Sequence, residues 1–291
     1  MTTDTAELIK KVRRIELKTK GLTNQIFSGE YHSAFKGRGM AFSEVREYAV
    51  GDEVRTIDWN VTARLGTPYV KIFEEERELT VILVVDVSAS DNFGSGAQLK
   101  KAMITEICAV LAFSAITNND KIGVIFFSDQ VEKYIPPKKG KSHILRIIRE
   151  LLEFKPEHPG TRISEALRFL NNVVKKRCIA FLITDFMDDD YGDSLKHANK
   201  RHDLVALQIY DERENQLPAI GRVLFEDPET GESKWINSNR SSVREAYKHA
   251  GIARMNRAKD ACRKAGVDMA SIATEESYIP PLRKLFSRRS A

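Results

Sequence analysis

The stretch Val81-Ile-Leu-Val-Val-Asp-Val-Ser-Ala-Ser90 decides how the rest of the chain is read. It begins with an unbroken, mostly β-branched apolar run, Val81 to Val85, the pattern of a strand covered on both faces in a parallel sheet. Polar chemistry starts where that strand ends. Asp86, Ser88 and Ser90 fall at alternate positions across the passage from strand to loop. In open α/β sheets, ligands bind just beyond the carboxyl ends of the strands. A carboxylate with hydroxyls is an all-oxygen set, suited to a hard cation such as magnesium rather than to zinc or copper. Asp-x-Ser-x-Ser would also serve simply to make a turn and cap the next helix.

Two further oxygen-bearing residues favour the site. Gly160-Thr161 precedes a helical pattern that puts Ile163, Ala166, Leu167, Leu170 and Val174 on one face. Asp185 ends a second apolar run, Cys178-Ile-Ala-Phe-Leu-Ile-Thr-Asp185. Separate crossovers thus bring oxygen groups to one rim of the expected sheet. Asp86-x-Ser88-x-Ser90, Thr161 and Asp185, in that order, resemble the metal-ion-dependent adhesion site of von Willebrand factor A domains. The resemblance implies a doubly wound, mostly parallel α/β sheet with helices on both faces, Rossmann-type and von Willebrand A-like. It also implies a site for Mg2+, or Mn2+ or Ca2+, in which the hydroxyls contact the ion and the aspartates act largely through water. The open coordination position would receive an acidic side chain of a partner protein. Neutral hydroxyls leave the ion's charge poorly neutralised, so an incoming carboxylate gains a charge-assisted contact.

Composition sets the class. The 291 residues carry 46 Lys and Arg against 41 Asp and Glu, a formal charge of +5. These values suit a soluble globular protein with one large domain, or one domain and an appendage. No apolar run approaches the length needed to cross a bilayer, and no signal-peptide pattern follows Met1, so a cytoplasmic protein without direct membrane insertion is expected. Cys108, Cys178 and Cys262 lie far apart in apolar surroundings and read as reduced core thiols. Basic clusters at 138–141 and at Arg283, Lys284, Arg288 and Arg289 read as solvated surface.

Residues 5–20 carry an amphipathic helical pattern, and 21–39 read as loop. In the segment after it, Arg46, Tyr48, Gly51, Asp52, Arg55, Asp58, Trp59 and Arg64 alternate charge and aromatic character too closely for a clean strand or helix. A compact meander held by Arg to Asp/Glu pairs is expected, with a turn at Gly51-Asp52 and Trp59 as an apolar anchor. A partner-binding surface formed by Arg46, Asp52, Arg55, Asp58, Trp59 and Arg64 is the alternative. This stretch is similar to the signature of the bacterial family catalogued as domain of unknown function 58, whose members join it to an A-type domain. Such proteins are commonly associated with MoxR-type AAA+ ATPases, which makes an ATPase of that type the expected partner. The expected division is 1–78 for an N-terminal helix and signature segment, an irregular or β appendage packed on the body, and 79–291 for the A-type domain. A hairpin insertion is expected at 221–237, and a short edge strand from Val131 stopped by Pro136-Pro137.

Competing functions leave weaker traces. Gly140-Lys141-Ser142 resembles the end of a phosphate-binding loop, but Ile135 stands where the first glycine is required, and prolines remove amide donors. A metal-dependent phosphohydrolase of the haloacid dehalogenase type would need a second Asp as general acid where Ser88 stands. The six histidines show no metal-ligand spacing. A nucleic-acid adaptor is motivated only by the basic balance, and nucleic acid is not the expected partner. The sequence therefore points to a non-catalytic, metal-dependent protein-protein interaction module, an adaptor or co-factor of the ATPase in complex assembly or maturation.

Overall fold

The computed structural model describes residues 12–17, 19, 40–75, 78–88, 100–226 and 233–290. The central sheet has six strands: β3 (Thr80–Asp86), β4 (Lys121–Phe127), β5 (Val131–Lys138), β6 (Ile179–Thr184), β7 (Asp203–Tyr210) and β10 (Asp268–Ala273). Their order is β10-β7-β6-β3-β4-β5, parallel throughout except for the antiparallel edge strand β5. The opening apolar run is therefore the middle of the sheet. Val81, Leu83 and Val85 face one core layer while Ile82 and Val84 face the other, all fully buried. Two-sided burial explains why this strand lacks polar alternation.

Helices cover both faces. The first layer holds α2 (Lys100–Thr117), α3 (Lys141–Glu153) and α7 (Ile279–Ser290), with Ile107, Ile147 and Phe286 buried on β3 and its neighbours. The second holds α4 (Ile163–Val173), α5 (Gly192–Arg201) and α6 (Ser241–Ala265). In α4, the stripe Ile163, Ala166, Leu167 and Leu170 is buried, as the spacing requires. Helix α6 stops where Gly266 takes a left-handed conformation, φ 68°, and its N–H returns to the carbonyl of Arg263. The chain leaves β3 toward β4 on one side and returns to β6 on the other. The carboxyl ends of β3 and β6 thus form a topological switch point, the place where such sheets bind ligands.

The edge strand runs through Pro136-Pro137 instead of stopping there. Proline is tolerated because this is an edge, and because the register slips between Ile122 and Val124. At that bulge a side chain on Gly123 would lie 2.8 Å from the Ile135 carbonyl oxygen and 2.9 Å from the Pro137 nitrogen. Glycine admits the approach.

The segment before the sheet is more regular than its composition implies. Strands β1 (Met40–Glu47) and β2 (Tyr69–Glu75) form an antiparallel ribbon around a 3-10 turn and the short helix α1 (Trp59–Leu65). In β1 Glu44, Arg46 and Glu47 are exposed, while in β2 the run Tyr69 to Ile72 is half-buried or buried throughout, so the pair carries no clean alternation. An Arg to Asp pairing of the expected kind joins Arg46 and Asp52, bidentate at 2.8 and 2.7 Å, beside the turn at Gly51. Trp59 is not an apolar anchor. It is 66% exposed, whereas Val70 is buried. Hairpin β8 (Arg222–Glu226) and β9 (Ser233–Asn237) forms as expected, with Phe225 edge-on to Tyr247 of α6. From the helical pattern at 5–20, residues 12–17 are helical; the rest of it, apart from helical Thr19, and the expected loop at 21–39 lie outside the described residues.

Candidate functional site

Asp86 closes β3 and is 1% exposed. Its Oδ1 accepts the N–H of Ser88 at 3.0 Å and its Oδ2 accepts the hydroxyl of Thr184, the last residue of β6, at 2.6 Å. The carboxylate is therefore fixed to its own loop and to the neighbouring strand. Asp185 follows immediately, also buried, its Oδ1 accepting the N–H of Met187 at 3.0 Å. Burial, and then the neighbouring Asp185 charge, pushes the Asp86 carboxyl up to about 7, against the hydrogen bonds from Thr184 and Ser88.

Thr161 lies in the strap leading into α4. The next residue, Arg162, donates its N–H to the carbonyl of Ser128, just past β4, at 2.8 Å. Ile163 after it donates its N–H to Asp188, in the loop after β6, at 2.7 Å. Since β3 lies between β4 and β6, the residues that follow Thr161 are tied to loops on both sides of the strand that carries Asp86. Thr161 is half-buried there, and Ser88 is buried. Asp86, Ser88, Thr161 and Asp185 are thus placed on one rim; Ser90 lies outside the described residues. Asp188 caps α4 across the rim, whereas the residue preceding α5 is Tyr191, which makes no side-chain cap.

The sequence reading missed Lys100. It opens α2, is fully buried, and sends its ammonium 2.9 Å from Asp185 Oδ2 and into contact with Glu214. Burial alone would lower this lysine, but Asp185 and Glu214 outweigh it and hold the ammonium above the usual range. Glu214 itself sits in a capping box with Asp211 after β7, and Asp211 accepts the hydroxyl of Thr274 at the end of β10. The signal available was a lysine pair, Lys100-Lys101, heading a largely apolar helix, together with a threonine immediately before Asp185.

The donor set fits a hard cation and little else. Among the described residues no group of three His, Cys, Asp or Glu converges as a metal site, so any ion here depends on the hydroxyls of Ser88 and Thr161 as well as on the carboxylates. A cavity of about 20 Å³ lined by Asp86, Ser88, Thr105 and Phe154 has room for about one water. Lys141 is remote from this rim. His143 on the same helix meets the carbonyl of Ile122 at the opposite end of β4, and Lys141 pairs with Glu16 at 2.5 Å, so the Gly-Lys-Ser loop shares nothing with the site. Within the N-terminal surface, Arg46 engages Asp52, while Asp58 caps α1 and lies 3.4 Å from Lys71. Among the described residues no helix is long and apolar enough to cross a membrane.

A solved structure shares this architecture. The structure of BatB from Bacteroides thetaiotaomicron is similar at a TM-score of 0.51 and 16% identity, covering 73% of this chain and 98% of that one. The von Willebrand A domain of SpRpn10 matches at a TM-score of 0.37 and 12% identity, over 72% of this chain and 94% of that one. An uncharacterized protein of Mycobacterium tuberculosis is 26% identical over 289 residues, 98% of this chain and 91% of that protein. The family described as protein of unknown function DUF58 matches residues 44–258, and the chain belongs to it.

Proposed function

We propose that this protein is a non-catalytic, metal-dependent protein-protein interaction module. Mg2+, or Mn2+ or Ca2+ in its place, would be held by Ser88, Ser90 and Thr161 with Asp86 and Asp185 behind them. When bound, the ion supplies a Lewis-acidic position for a glutamate or aspartate of the partner. The observation that supports this reading is that the two residues after Thr161 are tied to Ser128 past β4 and to Asp188 past β6, the strands that flank β3. A MoxR-type AAA+ ATPase is the partner proposed, on the resemblance of the N-terminal signature, with the complex working in the cytoplasm. An enzymatic reading is less well supported, because Ser88 stands where a phosphohydrolase would carry its proton donor.

The test combines metal and partner. Asp86→Ala should weaken Mn2+ binding at least a hundredfold in a calorimetric titration while the far-ultraviolet spectrum is kept, and should lose the ATPase in parallel affinity capture. An unchanged titration refutes the metal site. Retention of the partner by a metal-free variant refutes the bridged interface. Phosphatase or ATPase turnover that vanishes with Asp86→Ala would favour the enzyme.

A further inference from the structure

Lys100 is the one lysine or arginine among the described buried residues, and burying an ion pair is a poor way to gain stability. Apolar replacements of similar volume commonly serve as well or better. The lysine also joins separate crossovers: it leaves the start of α2 and meets Asp185 after β6 and Glu214 after β7. Glu214 is held in turn by its capping box, and its carbonyl accepts from Arg254 of α6 at 3.2 Å. The ammonium is therefore a fixed charge directly behind one of the two rim carboxylates.

For a divalent ion at this rim the consequence is electrostatic. Without the lysine the ion would face the full charge of both Asp86 and Asp185. With it, Asp185 is already paired, and a second positive charge stands close by in a weakly screening interior. Such a site holds a free ion loosely, yet a bound ion keeps more uncompensated charge for an incoming anion. We propose that Lys100 is a resident counter-cation of the rim that attenuates binding of the free divalent ion, so that ion and partner carboxylate bind cooperatively. The proposal rests on the metal-dependent reading above and specifies how occupancy of that site is regulated.

The double variant Lys100→Met/Glu214→Gln tests it, because it removes the ammonium while keeping the net charge of the triad. With Mn2+ alone as probe, it should bind at least tenfold more tightly than the unmodified protein. Acetate, as probe carboxylate, should tighten Mn2+ binding more in the unmodified protein than in the double variant. Glu214→Gln alone keeps the lysine and leaves it to Asp185, so Mn2+ binding should weaken severalfold; this variant carries the test if the double variant does not fold. Equal or weaker Mn2+ affinity in a folded double variant overturns the proposal, as does unchanged or tighter binding by Glu214→Gln. Adding Asp86→Ala separates the two failures. If it abolishes Mn2+ binding while the Lys100 variants behave like the unmodified protein, only the role of Lys100 falls; if it leaves binding intact, the metal reading falls with it.

Discussion

The two ends of the central strands solve the same problem differently. At the amino end, the acids are held locally by an arginine and by backbone N–H groups. Arg289 of α7 contacts both Asp203 at the start of β7 and Asp268 at the start of β10, and the Asp120 carboxylate accepts the N–H of Leu79 at 2.9 Å. His202 and Cys178 meet there at 3.3 Å, both in uncharged form: burial pulls the imidazole down to about 4 and pushes the thiol up to about 12. At the carboxyl end, the buried acids Asp86, Asp185, Asp211 and Glu214 outnumber the one buried base described there, Lys100. A sheet end whose acids are answered by a helix arginine and by backbone N–H groups is structural. An end where loops converge with a surplus of buried acid has the charge that the proposed cation would answer.

The largest expected break in this comparison is Lys100→Met. Removing one partner from a buried ion pair leaves uncompensated charge and costs about 3–5 kcal/mol. Chemical denaturation should show that loss, and adding Glu214→Gln should recover part of it. Arg289→Met at the other end should cost less, about 1–2 kcal/mol by the same reasoning, because Asp268 remains half exposed and water can take up its charge. Equal losses would mean that the two ends do not differ in kind.

Acidity should separate them next, with opposite signs. Asp86 titrates near 7 in the folded protein, so between about pH 4 and 7 the folded state holds a proton that the unfolded chain has released. Its contribution to stability therefore falls as pH rises through that window. His202 titrates near 4 when folded, so between about pH 6.5 and 4 the unfolded chain takes a proton that the folded state refuses. Its contribution falls as pH drops. Each slope is at most about 1.4 kcal/mol per pH unit. Relative to the unmodified metal-free protein, Asp86→Asn should make stability rise more steeply with pH, and His202→Asn should make it rise less. Parallel denaturation curves across the three proteins would remove the electrostatic distinction.

A further substitution asks whether the close approach of β4 and β5 belongs to the closed part of the molecule. Gly123→Ala places a methyl against the backbone of Ile135 and Pro137, and overpacking of that kind costs about 1–3 kcal/mol. A thermal midpoint unchanged by this variant would show that the edge strand yields. The smallest effect belongs to Trp59, whose exposure predicts a change within about 0.5 kcal/mol for Trp59→Ala. If capture of the partner is lost all the same, the N-terminal ribbon is a second contact surface; if both stability and capture persist, it is not.

How much was legible follows from how local each signal is. Burial on both faces writes itself into β3 and β6 as continuous apolar runs, and the length and glycine stop of α6 are equally plain, so parallel-type strands and helices are legible in the order of residues, while the doubly wound arrangement came from the resemblance to von Willebrand A domains. The Asp-x-Ser-x-Ser pattern, Thr161 and Asp185 can likewise be picked out as oxygen donors at element ends. The ribbon of β1 and β2 was obscured because its described residues carry no clean alternation, and Trp59 misled because aromatic character says nothing about which side of a short helix faces water.

What only the tertiary structure decided is which groups share a rim and what compensates them. Asp188 caps a helix that begins 25 residues earlier in the chain, and Lys100 reaches across 85 residues to Asp185. Apolar periodicity is a property of neighbours along the chain and survives in the sequence. The pairing of buried charges depends on where crossovers bring their ends together in space, and only the folded chain fixes that.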